Sequence, residues 1–179
     1  MRVEYLSWHS PNLGQNMELK VYGHGGRPFI VFPTSSGRFF DFENNGMVHA
    51  AERFIDEGRI TLFAVDSIDP QSWDHPSKPP EEKARRHNDY DRYIVHEVLP
   101  FVHRTLGNDL RPMCTGASMG ASHAVLFFLK HPDVFQGTIA LSGVYDFRYF
   151  LHGYHGGSID VQSRLGHGTT FTVVLPAAE

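Results

Sequence analysis

Three short stretches of this chain are apolar throughout or but for one threonine: "PFIVFP" (residues 28–33), "ITLFAV" (60–65) and "GTIAL" (137–141). A continuous apolar run of that length fits a strand buried on both faces, which is the signature of a parallel sheet with helices packed above and below. The text between these runs is helical in period. Residues 47–57 place Val48, Ala51, Phe54 and Ile55 on one face before Gly58 stops them. Residues 81 to about 106 read as one long helix, with Tyr93, Ile94, Val98 and Leu99 among its apolar positions. A strongly apolar helix over 119–129 ends at the His131-Pro132 pair. Residues 3–8 and 17–22 are strand-like leaders, 111–115 is a further short strand, and 69–80 is a Pro-rich loop. Alternation of this kind specifies an α/β fold, a mostly parallel sheet flanked by helices. The turn Gly23-His24-Gly25-Gly26 reads as a hairpin turn after the second strand.

With 179 residues, 41% of them hydrophobic, the chain has material for one well-formed core. Its net charge of −4, with signs interspersed, lacks the basic footprint of a nucleic-acid binder. The most basic stretch, "EEKARRHNDYDR", is flanked by acids and reads as a solvated helix face. A single cysteine, Cys114, excludes an intrachain disulfide and a cysteine-rich metal site, and its apolar setting makes it a small buried hydrophobe. The first residues, MRVEYLSWHS, contain no apolar signal-like core, and no run reaches the roughly 18 apolar residues of a membrane span. These features point to a cytoplasmic protein with no membrane partner, and no residue pattern calls for a cofactor.

Between the strand at 111–115 and the helix at 119–129 lies Gly116-Ala117-Ser118-Met119-Gly120, a G-x-S-x-G. Alone the motif is weak. Its setting, strand before and apolar helix after, is the context in which a serine is held on a strained turn with Oγ at the carboxyl edge of a sheet. Small residues at Gly116, Gly120 and Ala121 let strand and helix close around it, and the free amides of the helix N-terminus can stabilise an oxyanion. Residues 1–152 resemble the α/β-hydrolase fold, and within it esterases of the esterase-D type. The resemblance rests on "GASMGASHA", on "PFIVFPTSSGRFFDFENNG" and on "HPDVFQGTIALSGVYD". It implies hydrolysis of a small-molecule ester by serine attack, an acyl-enzyme and release by water. It also implies Ser118 as nucleophile, with oxyanion donors at Met119 and at Ser35 or Ser36 in the "PTSSG" loop, where many relatives carry His-Gly in place of Pro33-Thr34.

The family places its acid and histidine after the seventh and eighth strands, whereas here the hydrolase-like text stops near the end of the sixth. The local substitutes are Asp146 and His155, with His152 close by; Asp160 and His167 have the right chain order but read as hairpin residues. The helical histidines His87, His96, His103 and His123 read as groups satisfying local polar contacts.

From about residue 153 the grammar changes. "HGGSIDVQSRLGHGTTFTVVLP" reads as a β-hairpin, with its turn at 164–168, and resembles the end of a sensor histidine kinase ATP-binding domain. The asparagine-bearing helix and acidic adenine loop of that family are not found, so no ATP chemistry is expected. The organisation read here is a hydrolase domain (1–152) lacking its usual C-terminal part and a hairpin tail (153–179) that is not a domain by itself, as a chimera would have. A sheet cut at its sixth strand exposes an apolar edge, which predicts a homo-oligomer. Two functions follow: a weak or inactive serine esterase, or a catalytically dead scaffold that assembles through the sheet edge.

Overall fold

Strict alternation inside the apolar runs decides which helix each residue meets. In the computed structural model, which describes residues 1–145 and the backbone of 158–164 and 168–174, six strands form one sheet in the order β1-β2-β4-β3-β5-β6. They are β1 (Val3–Ser10), β2 (Gln15–Tyr22), β3 (Arg27–Phe32), β4 (Ile60–Val65), β5 (Met113–Ala117) and β6 (Gly137–Leu141). Strands β4, β3, β5 and β6 run parallel, and the antiparallel β1–β2 pair is added beside β4. Ile30, Phe32, Phe63 and Val65 face one core, and Val31, Leu62 and Ala64 face the other. The first core is covered by α3 (Pro80–Tyr93), α4 (Leu99–Leu106) and α5 (Met119–Lys130), through Tyr90, Tyr93, Val102 and Phe127. The second is covered by α2 (Met47–Asp56), through Val48 and Ile55. A single turn, α1 (Asp41–Asn44), precedes α2. The α/β architecture expected from the sequence is therefore the one formed, and Cys114 is fully buried within it.

Five local expectations are corrected. Strand β6 is not buried on both faces: Ile139 and Leu141 are exposed, because β6 is the end strand of the described sheet. Residues 23–26 are not a hairpin turn, because β2 pairs with β4 and β3 lies beyond it. Thr61 Oγ1 holds that turn instead, accepting from Gly25 N–H at 2.9 Å and donating to Gly25 O at 2.7 Å. Strand β5 is shifted two residues along from 111–115, since Pro112 has no N–H for the ladder and pairing with β3 starts at Met113. The long helix is interrupted at Ile94–Val98 by a wider π-helical stretch. Pro100 explains it: the ring cannot donate to the carbonyl four residues back and crowds it, so the turn before it opens. Finally, the basic stretch is only partly solvated, because His87, Tyr90 and Asp91 are buried under it.

The chain divides into two units, Met1–Gly143 and Val144–Glu179. Within the second, β7 (Ser158–Arg164) and β8 (Gly168–Val174) pair antiparallel as the hairpin expected from the sequence, and the register sets Val161 opposite Phe171.

Candidate active site

Strand β5 ends at Ala117 and α5 starts at Met119, which leaves Ser118 alone to turn the chain. Its φ of 54° and ψ of −121° lie where a residue with a Cβ rarely sits. Such strain costs about 1–3 kcal/mol and persists only where the surroundings over-determine it. Ser118 N–H donates to Leu141 O of β6 at 2.9 Å, and Ser118 O accepts from Ala121 N–H at 3.0 Å. The two glycines are required by contact. A Cβ on Gly120 would lie 2.3 Å from Phe32 O, and one on Gly116 would lie 2.5 Å from the Gly120 carbonyl carbon. The result is an exposed serine at the N-terminus of a buried helix. Met119, the first helical residue, carries an amide with no acceptor inside the helix.

The same contacts bring β3 against the elbow, so the loop leaving Phe32 begins beside Ser118. Its conformation is held by side chains. Asp41 Oδ2 accepts from Thr34 N–H at 3.1 Å and from Thr34 Oγ at 2.9 Å, and Gly37 N–H donates to Thr34 O at 2.8 Å. With the Thr34 and Gly37 amides engaged, Ser35 and Ser36 occupy the exposed tip of the turn between them. Ser36 is itself at φ 54°. Its hydroxyl donates to Asp74 Oδ2 at 3.3 Å. Further along, the Arg38 guanidinium donates from Nε to both Asp66 oxygens, at 2.8 and 2.9 Å, and also pairs with Glu18. Burial pushes the Asp66 carboxyl upward against the opposing pull of Arg38, and the net shift is up.

Under the elbow lies a polar cluster that residue patterns did not disclose. His123, on the second turn of α5, pairs through Nε2 with Asp69 Oδ1 at 2.9 Å, both side chains being 2% exposed. Burial raises the Asp69 carboxyl, but the charge and hydrogen bond of His123 outweigh it, so the group sits below its ordinary range. Asp69 Oδ2 is buried with no hydrogen-bond partner. His87 stacks on His123 with ring centroids 5.4 Å apart, and Trp73 Nε1–H donates to His87 Nδ1 at 3.0 Å. Burial, with His123 beside it, lowers His87 to about 3, so the ring is neutral at ordinary pH. The visible signal was the pair of acids in "VDSID", just past the carboxyl end of β4.

The structure thus brings Ser118, Met119 and the Ser35-Ser36 turn to one end of the sheet. Among the described residues no histidine bonds the Ser118 hydroxyl, and no acidic, histidine or cysteine cluster fits a metal. Asp146, His152, His155 and His167 lie outside the described residues, and Asp160 is described only as backbone in β7. No described helix is long and apolar enough to cross a membrane.

A mostly parallel sheet between helix layers, with a strained serine at a strand-to-helix elbow, is an α/β-hydrolase-like architecture. The sequence matches the family model described as "Putative esterase" over residues 10–169, and the chain belongs to that family. Solved structures agree on the fold. A fluorophosphonate-binding serine hydrolase of Staphylococcus aureus superposes with a TM-score of 0.62 at 19% identity, covering 86% of this chain and 61% of that one. An S-formylglutathione hydrolase of Agrobacterium tumefaciens gives 0.64 at 16% identity, with coverages of 80% and 58%. A ferulic acid esterase of Anaeromyces mucronatus gives 0.62 at 11% identity, with coverages of 81% and 60%. The chain spans about three-fifths of the length of these structures. A comparison with curated proteins finds no match.

Proposed function

We propose that the chain is a serine esterase acting on small-molecule carboxylic esters, with Ser118 as nucleophile. The observation that carries this reading is the backbone of Ser118, held at φ 54° in an exposed elbow by contacts on three sides. Ser118 Oγ attacks the ester carbonyl carbon and its proton passes to a base. The oxyanion is received by the Met119 amide and an amide of Ser35 or Ser36. Collapse expels the alcohol, which takes the proton, and water then releases the acid from the acyl-serine. His155 as base and Asp146 as its partner follow the Ser, Asp, His chain order of the fold class. Turnover is expected to be weak, because this pair is an improvised substitute for the family's own.

A second reading is supported by β6, whose Ile139 and Leu141 are 48% and 36% exposed. Apolar side chains on the last described strand of the sheet favour assembly of copies without catalysis. One preparation separates the two. Fluorophosphonate should modify Ser118, as located by peptide mass spectrometry, and Ser118→Ala should lose both the label and hydrolysis of an activated aryl ester. Folded protein that takes no label, and whose light-scattering mass exceeds one chain, would instead support the scaffold.

A further inference from the structure

The two halves of the proposed oxyanion site come from different elements: one amide from the start of α5, the other from the loop after β3. Two hydrogen-bonded routes run from that loop to a single residue, Asp69. In the first, Ser36 Oγ donates to Asp74 Oδ2 at 3.3 Å, and Asp74 N–H donates to Asp69 O at 2.9 Å. In the second, Arg38 grips Asp66, Asp66 Oδ1 accepts from Ser67 N–H at 3.2 Å, and Ser67 Oγ accepts from Asp69 N–H at 3.0 Å. From Asp69 one further step, its 2.9 Å side-chain bond to His123, reaches α5 about a turn and a half after Ser118. We infer that Asp69 and His123 are positioning residues that fix the loop after β3 against the N-terminus of α5, and so set the spacing of the two oxyanion donors.

This inference rests on the Ser118 reading for its catalytic meaning, while the linkage itself is a property of the fold. Stability alone is a poor reason for such a pair. A buried ion pair is commonly no better for stability than apolar side chains of the same volume. This one also leaves a carboxylate oxygen unpartnered, which is a cost in itself. What an apolar pair could not do is bond one loop to one helix in a defined direction. His87 adds to that definition, since Trp73 of the same loop orients it against the His123 ring.

The test compares Asp69→Leu, Asp69→Asn and the double variant Asp69→Leu/His123→Leu, which keeps the site apolar and filled. Hydrogen exchange is read at amides the structure shows bonded: Gly37 and Asp41 in the loop, Ala121 and Ser122 on α5. Both leucine variants should raise exchange by about tenfold at all four positions, including the loop that neither residue touches, and Asp69→Asn, which still accepts from His123, should largely restore protection. The fluorophosphonate labelling rate of Ser118 should fall by about 10- to 100-fold in the leucine variants, as misplacement of a reacting group does, with Asn recovering most of it. A cycle with Asp74→Ala should be non-additive, the double change costing little more than Asp69→Leu alone. Faster exchange confined to residues 66–75 and α5, or an additive cycle, or Asn behaving as Leu, overturns the inference. Unlabelled wild-type protein breaks the Ser118 reading instead, and the exchange data then decide the linkage by themselves.

Discussion

The elbow and the loop after β3 meet at the same edge of the sheet but are held by opposite means. Around Ser118 the restraints are backbone: carbonyls of Phe32 and Pro33 pressed on Gly120, and an amide bond to Leu141. Around Ser35 and Ser36 they are side chains: Asp41 on Thr34, Asp66 on Arg38, Asp74 on Ser36. The first kind fails abruptly when an atom is added. The second can be dismantled one bond at a time, and each loss is graded.

Adding a methyl at the elbow should therefore give the largest effect. Gly120→Ala forces a Cβ to within 2.3 Å of a backbone oxygen, and a loss of about 3 kcal/mol or more is expected, read as a collapsed denaturation midpoint. If Gly120→Ala unfolds normally, the elbow is not closed by backbone contact and the contrast falls.

The next effect is one of pH. His87 is depressed to about 3 in the folded protein, against roughly 6.5 in an unfolded chain. Below pH 6.5 the unfolded state binds the proton that the folded state refuses, so stability falls as pH drops from 6.5 toward 3. The slope from this group approaches about 1.4 kcal/mol per pH unit. The depressed Asp69 acts in the same direction at the acid end: its contribution is present above the unfolded carboxylate value and disappears as pH falls through the folded one. His87→Gln, which keeps an acceptor for Trp73, should flatten the pH dependence of the thermal midpoint between pH 4 and 6.5, on the order of the range these values span. An unchanged slope would show that His87 is not held neutral.

The smallest effect belongs to the loop. Thr34→Val removes one of two bonds to Asp41 and should cost about 1 kcal/mol. Labelling of Ser118 should slow more than global stability falls. Equal loss in both would mean that the loop does not position the site.

What could be read from sequence divides along the same line. The sheet and the elbow were legible because their restraints are local: continuous apolar runs, and glycines two residues either side of Ser118. The insertion of β4 between β2 and β3 was not, since strand order is chosen by packing between distant segments. Nor was the Asp69–His123 bond, which joins residues 54 positions apart. His123 reads as a residue with ordinary local contacts, whereas its partner is Asp69 in the segment after β4. Pro100 does mark a break in the long helix, but the apolar positions continue on both sides of it, at Ile94, Val98 and Leu99, and carry the helical reading across.

The backbone angles carry one more implication. Among the described residues, the non-glycine positions with positive φ are three serines, Ser36, Ser118 and Ser142, each at 54°. They follow β3, β5 and β6, so conformational strain of about 1 kcal/mol or more apiece collects along a single rim of the molecule. Glycine at any of them would relax the chain. Drift toward greater stability therefore runs through the replacement of these serines, and at Ser118 that drift and the loss of a hydroxyl are the same event.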